Sequence, residues 1–567
     1  MTTFAQSLQR LTHTLLAGCI LAWASTTLSH AASPDEAGPL IEQSQVRGGL
    51  VVHLGCGEGE LTRSLRINSR FQVHGLDRNA RHIDSARKML LAEGVYGQVT
   101  ASRLAGEELP LIDGLVNLLI VDEAQGIPRN EMLRVLAPQG VLMTRGPKGW
   151  TRHQKPRPQD IDDWTHYLHD SSGNAVAHDA QVGPPRHMQW VGSPRWSRHH
   201  DRMASLSAMV SGGGRLFYIM DEGSRVSIQL PPDWKLVARD AFNGTILWKQ
   251  PLSNWHSHLW PLKSGPTQLA RRLVTDGKRI YVTLGLKAPL SVLDSATGER
   301  QFVLTGSAGT EEIVVNDGTV FAMVNDGDSA LVKYNVELNL GDQRRVAKDF
   351  QWNRKPRRVV AWDATTGKRL WQITSRIAPL TLVVGPKRVY FHDGENIIAR
   401  DRKTGTQTWS SPGPVKVKIN FNFGPKLVLY EDVLLFAGGD RTMRSLNSET
   451  GKVLWTAPHD QSGYQSPEDL LVMQDLVWSA PTTRTKDTGI FTGRNPRTGK
   501  IIKTFSPNVQ TYWFHHRCYI SKATDRFLLP SRTGIEFVDP QREAWDIHHW
   551  VRGGCLYGIM PCNGLLY

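Results

Sequence analysis

The sequence predicts a multidomain chain in which an α/β domain near the N-terminus is followed by a larger all-β domain made of repeated units. Two observations predict this order. An apolar run at 50–54 leads into three closely spaced glycines and then a helical period, the strand–turn–helix order of a ligand-binding α/β unit. Between residues 240 and 499, a turn of the form Asp/Asn-x-x-x-Gly recurs six times. A chain of 567 residues is long enough for both domains.

Residues 1–31 have the form of a secretory signal peptide. Arg10 is their one charged residue, 15–24 is an apolar core, and small residues occupy both cleavage-determining positions before Ala32. We therefore expect cleavage after Ala31 and an exported chain that is periplasmic, secreted or envelope-associated. Two alternatives stay open: a lipid on Cys19, which ends a lipobox-like Leu-Ala-Gly-Cys, and an uncleaved N-terminal anchor.

The chain is basic, with a formal net charge of +14. Outside the cytosol, such a charge attracts anionic lipid, polysaccharide and cell wall over long range. No run of five or six Lys/Arg and no nucleic-acid motif occurs, so no specific nucleic-acid partner is expected. Membrane contact is expected only through the N-terminal segment, if that segment is uncleaved or lipidated.

Residues 46–146 have the pattern of an α/β domain. Gly55, Gly57 and Gly59 form a turn between the first strand and a helix, where glycines let the backbone approach a ligand and the helix start offers free N–H groups. A second strand, 71–77, ends in Asp77, whose carboxylate can accept both ribose hydroxyls of an adenosine. A helix at 80–93, a buried strand at 114–122 and a helix–turn–strand unit at 131–142 follow.

This order resembles the class I S-adenosylmethionine-dependent methyltransferases, which implies a Rossmann-like fold. The glycine turn, the acid ending the second strand and the "RVLxPxG" turn all match. The resemblance implies S-adenosylmethionine as a possible cofactor, held by Gly55, Gly57, Gly59 and Asp77. His53 stands where the family usually has the acid that helps orient the methionine part. No motif marks a catalytic residue, and the family's usual last strands are not expected because another region begins by Lys155.

Residues 147–204 are dense in His, Trp, Asp and Pro and are interpreted as a linker that packs against both domains. His166 and His169 are three residues apart, so on a helix they would face one way. Metal binding by this pair is therefore the alternative to simple packing.

The repeats begin near residue 205. Asp or Asn opens each turn by accepting bonds from backbone N–H groups, and Gly takes the left-handed position that the turn needs. Trp follows the glycine by four residues in four of the six turns, and Phe302 fills that place in a fifth, which predicts a large ring between neighbouring sheets. The turn glycines are Gly244, Gly298, Gly367, Gly405, Gly451 and Gly499.

Eight strand starts precede or follow these turns, and units of about 40–50 residues with this pattern predict a β-propeller of seven to eight blades over 205–567. The turn resembles the repeat of pyrroloquinoline-quinone-type propellers, which include quinoprotein alcohol dehydrogenases and BamB-like outer-membrane assembly proteins. Seven blades and the first strand of an eighth are predicted. Either the chain is a fragment, truncated at the C-terminus, or N-terminal strands from around 185–200 complete the eighth blade.

The quinoprotein resemblance would imply a quinone and a calcium ion on the propeller axis. Those dehydrogenases carry two adjacent cysteines, and this chain has neither a Cys-Cys pair nor a CxxCH haem site, so neither PQQ nor calcium is expected. Two of Cys518, Cys555 and Cys562 are candidates for a disulfide. A redox or metal site that adds His515 and His516 is the alternative.

Three functions are compatible with these patterns. The first is an exported protein whose propeller face binds a protein, a polysaccharide or a small molecule, with a methyltransferase-like domain of open activity. The second is an active S-adenosylmethionine-dependent methyltransferase whose propeller selects the substrate. The third is a quinoprotein-type oxidoreductase.

Overall fold

The computed structural model describes residues 33–567 except 195–197, 199–204, 261–264, 328, 330, 333–350, 417–418, 420–423, 460–468, 482–487, 507, 509–518, 531–534, 549–552 and 555–556. The signal-peptide prediction for residues 1–31 therefore lies outside the described residues, as do Cys518, Cys555, His515 and His516. None of the described helices is long and apolar enough to cross a bilayer.

The N-terminal domain is a six-stranded sheet with helices on its faces. Its strands are β1 (Gly49–Leu54), β2 (Phe71–Asp77), β3 (Val99–Arg103), β4 (Val116–Val121), β5 (Leu136–Gly146) and β6 (Gly149–Gln154). Its helices are a 3-10 turn (Pro34–Glu36), α1 (Ala37–Ser44), α2 (Glu60–Ser64), α3 (Ala80–Ala92) and α4 (Arg129–Val135).

The strand order is β3-β2-β1-β4-β5-β6, with β1 to β5 parallel. Strands β1 and β4 are buried on both faces, which explains why they are nearly continuous apolar runs. Helices α1, α2 and α3 cover one face and α4 covers the other. The predicted Rossmann-like fold is confirmed, and the structure adds β6, an antiparallel strand beyond the predicted end of the domain.

The C-terminal domain consists of seven four-stranded antiparallel sheets and a final hairpin. A short strand, β7 (Val176–Ala177), and a short helix, α5 (Thr267–Ala270), also belong to it. The first four blades are β8 (Leu206–Gly212), β9 (Arg215–Asp221), β10 (Trp234–Asp240), β11 (Ile246–Pro251); β12 (Leu273–Thr275), β13 (Arg279–Thr283), β14 (Leu290–Asp294), β15 (Arg300–Val303); β16 (Thr310–Asn316), β17 (Thr319–Val324), β18 (Pro356–Asp363), β19 (Arg369–Arg376); and β20 (Val383–Val384), β21 (Arg388–His392), β22 (Asn396–Asp401), β23 (Gln407–Pro412).

The remaining blades are β24 (Lys426–Tyr430), β25 (Val433–Ala437), β26 (Thr442–Asn447), β27 (Val453–Pro458); β28 (Val472–Met473), β29 (Leu476–Ser479), β30 (Phe491–Arg494), β31 (Ile501–Phe505); and β32 (Lys522–Thr524), β33 (Leu528–Leu529), β34 (Ile535–Asp539), β35 (Ala544–His548). The hairpin is β36 (Pro561–Cys562) and β37 (Leu565–Leu566). These sheets confirm the predicted propeller.

An aromatic ring from one blade packs on the turn glycine of the next. A Cβ added at Gly298 would lie 2.6 Å from the Trp248 ring, and one at Gly451 would lie 2.5 Å from the Trp409 ring. The Trp248 indole N–H also donates to the carbonyl oxygen of Ser295 in that next turn, at 3.2 Å. The repeated glycine therefore makes room for the neighbouring ring and also adopts the left-handed backbone of the turn.

The eighth blade position holds the β36–β37 hairpin. Residues 185–194 form no strand, so the described part of that region does not complete the blade with strands. Trp190 nevertheless lies where the outer-strand Trp of a preceding blade would lie: its ring is 2.4 Å from a Cβ added at Gly244, and its indole N–H donates to the carbonyl oxygen of Ala241. The Tyr567 hydroxyl donates to the same carbonyl, at 2.8 Å.

Residues 162–179, here called the axial segment, run along the innermost strands of all the blades. Each of the seven innermost strands donates a backbone N–H to this segment over 2.8–3.1 Å: Ser211 to Trp164, Thr275 to Thr165, Val315 to His166, Val384 to Ser171, Leu429 to Ser172, Val472 to Asn174 and Ala523 to Ala175. The hairpin adds a bond from Asn563 to Asp162. The region that the sequence presented as a linker therefore closes the propeller axis at one face.

The α/β domain contacts the first blade through the edge of its sheet where the parallel strands begin. Asn117, the second residue of β4, donates to Asp240 Oδ2 at 2.7 Å, and Asn243 donates to Asn117 Oδ1 at 2.7 Å. Arg70, just before β2, reaches the Thr297 carbonyl in the second blade. Burial raises the pKa of Asp240, and the Asn117 amide opposes that rise.

Asn174→Ala should destabilise the propeller strongly. The buried Asn174 amide donates to the Val472 carbonyl and accepts from the Val472 N–H, so its loss leaves two buried backbone groups unsatisfied. We expect a loss of roughly 2–4 kcal/mol in urea unfolding followed by tryptophan fluorescence. Asn130→Ala, at an exposed position, is the control; equal midpoints for the two variants would contradict this role of Asn174.

His169 should make the axial segment more stable in acid than in base. Burial lowers its pKa, but the hydrogen bond from Nε2 to Asp162, at 2.7 Å, and the charge of Asp170 outweigh burial and raise the pKa. A raised pKa contributes stability below the unfolded value of about 6.5, and that contribution is lost as pH rises through the folded pKa. The stability difference between wild type and His169→Asn should therefore be larger at pH 5.5 than at pH 8.5.

Two neighbours leave this pH window undisturbed. The pKa of Asp162 is lowered, so its contribution is present at both pH values, and burial lowers the pKa of His166 to about 4. Asn is chosen because position 169 has a φ of 66°, which Asn tolerates better than most residues. A difference independent of pH in urea unfolding would contradict a charged His169.

Candidate functional site

The predicted cofactor residues meet at the edge of the sheet where the parallel strands end. The Gly57 N–H donates to Asp77 Oδ2 at 3.0 Å, which joins the loop after β1 to the end of β2. The other Asp77 oxygen accepts from the Asn79 N–H at 2.8 Å and lies 3.4 Å from His82 Nδ1. Asp77 is 3% exposed. The structure therefore brings Gly57 and the acid together, as the strand order requires.

The three glycines have different surroundings. A Cβ at Gly55 would lie 2.8 Å from the backbone nitrogen of Glu123, and one at Gly59 would lie 2.8 Å from the Ala86 Cβ in α3. A Cβ at Gly57 would meet nothing within 4 Å. Gly55 and Gly59 thus allow close packing of the domain itself, whereas Gly57 is the glycine that faces open space.

His53 lies beside this loop, fully buried in β1. Its Nδ1 is 2.9 Å from the Thr62 hydroxyl, and its Nε2 has no hydrogen-bond partner. Burial, assisted by the charge of Arg145, lowers its pKa to about 4, so the ring is neutral at pH 7. Burial also raises the pKa of Cys56 to about 12, which makes its thiol a poor nucleophile at neutral pH.

Arg145, at the end of β5, is the cation nearest to His53 in this network, and two carboxylates neutralise it. It bonds to Asp122 and, at 2.8 Å, to Glu36 Oε2. Glu36 also accepts from the Trp150 indole at 3.0 Å, and the Arg145 guanidinium stacks over that ring at 4.4 Å. The segment before α1 is thereby fixed against the same edge of the sheet.

Arg78 is a site residue that the sequence analysis missed. Its guanidinium donates to the carbonyl oxygens of Gly106 and Gln125, both at 2.6 Å, and so ties together the loops after β2, β3 and β4. Its place directly after Asp77 was the available indication. Asn117 was missed too, although a polar residue inside an otherwise apolar strand was visible.

The other predicted sites have these outcomes. His166 and His169 do not lie on a helix; they pair in a tight turn, and His166 Nε2 accepts from the Val315 N–H. Within the described residues, no three His, Cys, Asp or Glu side chains come together as a metal site. Cys562 is fully buried and forms no disulfide with any described residue, so the disulfide stays a prediction.

The glycines should respond differently to substitution. Gly59→Ala forces a methyl group against Ala86 and should lower the free energy of unfolding of the α/β domain by about 1–3 kcal/mol more than Gly57→Ala, which adds only backbone strain. Urea unfolding followed by circular dichroism compares the two variants. Equal losses would mean that Gly57 is also packed against the domain.

Comparison with known proteins places both domains. Residues 51–140 match the family described as methyltransferase domain, and residues 355–504 match the family described as outer membrane protein assembly factor BamB. No curated protein matches the chain.

Three solved structures are among those similar to this chain. BamB from Moraxella catarrhalis has 16% identity, a TM-score of 0.33, and coverage of 59% of this chain and 80% of that one. Quinohemoprotein alcohol dehydrogenase ADHIIG from Pseudomonas putida HK5 has 11% identity, a TM-score of 0.37, and coverage of 66% and 69%. A proposed S-adenosyl-L-methionine-dependent methyltransferase from Methanococcus maripaludis has 21% identity and a TM-score of 0.18; the match covers 20% of this chain and 54% of that one.

The two family matches confirm the resemblances seen in the sequence. The chain joins a methyltransferase-like domain to a BamB-like, pyrroloquinoline-quinone-type propeller.

Proposed function

We propose that this chain is an exported binding protein whose propeller recognises a partner protein and whose methyltransferase-like domain is a fixed accessory of the first blade. The observation that carries the proposal is the docking geometry. The propeller contacts the edge of the sheet where the parallel strands begin, through Asn117 and Arg70, whereas Gly57 and Asp77 lie at the opposite edge. The propeller of one chain therefore cannot present a substrate to the glycine loop of the same chain.

The BamB-like region suggests where a partner would bind. The outer strands β19, β27 and β31 are the last strands of their sheets, so their outer backbone groups have no strand partner within the blade. Large apolar side chains on these strands are exposed, with Leu454 at 41% and Ile502 at 57%. An unpaired strand edge with exposed apolar groups is suited to binding a segment of another protein. The assembly role in the name of the matched family supports a protein partner in the cell envelope.

Site-specific photocrosslinking in cells tests this proposal. A photoreactive amino acid at Leu454 or Ile502 should give crosslinked adducts of protein size, whereas the same group at Leu91, 62% exposed on α3, should give none. Mass spectrometry of the purified chain should also find an N-terminus at Ala32. Adducts at Leu91 alone, or an intact N-terminus in a cytosolic fraction, would contradict the proposal.

A second candidate function is that of an S-adenosylmethionine-dependent methyltransferase acting on a separate molecule. The open space at Gly57 and the buried Asp77 carboxylate fit the nucleoside part of that cofactor, since a carboxylate with two bonded oxygens still has lone pairs for ribose hydroxyls. The methionine part fits less well: His53 is neutral, and Arg145 is already paired with Asp122 and Glu36. Nothing in the described residues favours the third candidate, a quinoprotein-type oxidoreductase.

Calorimetric titration separates the two candidates. We expect S-adenosylmethionine to bind the chain lacking residues 1–31 no more tightly than about millimolar, because no carboxylate at position 53 meets its ammonium group. His53→Asp should strengthen binding by about tenfold through a charge-assisted hydrogen bond, and the neutral His53→Asn should not. Micromolar binding by the wild type that Asp77→Asn abolishes would instead support the methyltransferase.

A further inference from the structure

We infer that the propeller axis, next to the axial segment, holds a binding site for a small oxyanion, either a carboxylate or a phosphate. The inference is independent of the proposed function above. It rests on the cationic side chains that the innermost strands bring to the axis, and on how few of their charges the structure neutralises.

The strands themselves place these side chains. The innermost strands β12, β16 and β24 surround the axis, and Arg271, Glu312 and Lys426 lie at or near their beginnings. The Arg271 guanidinium lies 5.8 Å from the ring centre of Tyr167, which belongs to the axial segment. Lys522 begins β32, and its ammonium lies 5.0 Å from the ring of Trp164 in the same segment.

The charges of this group do not balance. Glu312 is the carboxylate near Arg271, with Oε2 at 3.7 Å from Nη1, while its other oxygen accepts from the Leu380 N–H. Lys522 donates to two carbonyl oxygens, those of Tyr557 and Ile559, and to no carboxylate. Lys426 has neither a hydrogen bond nor an ion pair to any described residue.

Burial and the charge of Arg271 lower the pKa of Lys426 to about 7. The pKa of Lys522 is also lowered to about 7, by burial. Interior ammonium groups are normally paired, because an unpaired buried charge is costly. An anion on the axis would supply the missing partner for Lys426 and Arg271.

Unused hydrogen-bonding groups lie in the same place. The Arg271 Nε and the Tyr557 hydroxyl are both buried without a hydrogen-bond partner. Tyr557 and Tyr167 interact with each other, which puts the Tyr557 hydroxyl close to Arg271. Guanidinium, ammonium and phenol donors are the set that recognises carboxylate and phosphate oxygens. Because the axial segment closes one face of the propeller, the anion would enter from the other face.

Thermal unfolding and calorimetry of the chain lacking residues 1–31 test the site, with citrate and inorganic phosphate as separate probes. At least one probe should bind the wild type and raise its unfolding temperature, and which one does so distinguishes the two anion classes. Lys426→Met should weaken that binding at least tenfold, while the exposed control Lys452→Met should leave it unchanged. Tyr557→Phe should weaken it about three- to tenfold, as expected for one lost hydrogen bond.

The same variants guard against misfolding as an explanation. Without any probe, Lys426→Met should unfold at a temperature equal to or higher than that of the wild type, because it removes an unpaired interior charge. Failure of both probes to bind the wild type at 10 mM, on the order of ten times a millimolar dissociation constant, would overturn the inference. Equal binding by wild type and a folded Lys426→Met variant would overturn it as well.

Discussion

The hydrogen bonds between the axial segment and the innermost strands are the constraint on which the rest of the structure depends. Seven backbone N–H groups, one from each four-stranded blade, point toward the axis and find their acceptors in a single stretch of chain. Buried N–H groups need partners, and within their own blades these have none. The propeller is therefore complete only when the region between the two domains has entered it.

That constraint also fixes the α/β domain. The axial segment begins only eight residues after β6 ends, so the first domain must lie close to the propeller, and Asn117 bonds it to the turn of the first blade. The contact uses the edge of the sheet where the strands begin. The candidate cofactor edge consequently points away, with Asp77 and Gly57 held together by the fold whether or not a ligand is present.

Between blades, one contact is repeated with little variation. An indole ring packs on a turn glycine and donates its N–H to a carbonyl oxygen of the same turn, as Trp248 does to Ser295 and Trp371 to Arg402. The ring supplies buried area and the hydrogen bond fixes its orientation. At the last position Trp190 makes the contact from outside any strand, which shows that the ring matters more for closure there than a complete outer strand.

The sequence by itself determined the two folds, because their patterns are local. The glycine turn, the acid at the end of the second strand and the repeated Asp-to-Gly turns each lie within a few residues of one another and describe one element at a time. It also pointed to Gly55, Gly57, Gly59 and Asp77 as one site. Only the tertiary structure decided what His166, Asn174 and Trp190 do, since their partners lie about 50 to 300 residues away in the chain. Contacts over such separations leave no periodicity in the sequence, so the same residues that a sequence presents as a polar linker become the centre of the propeller.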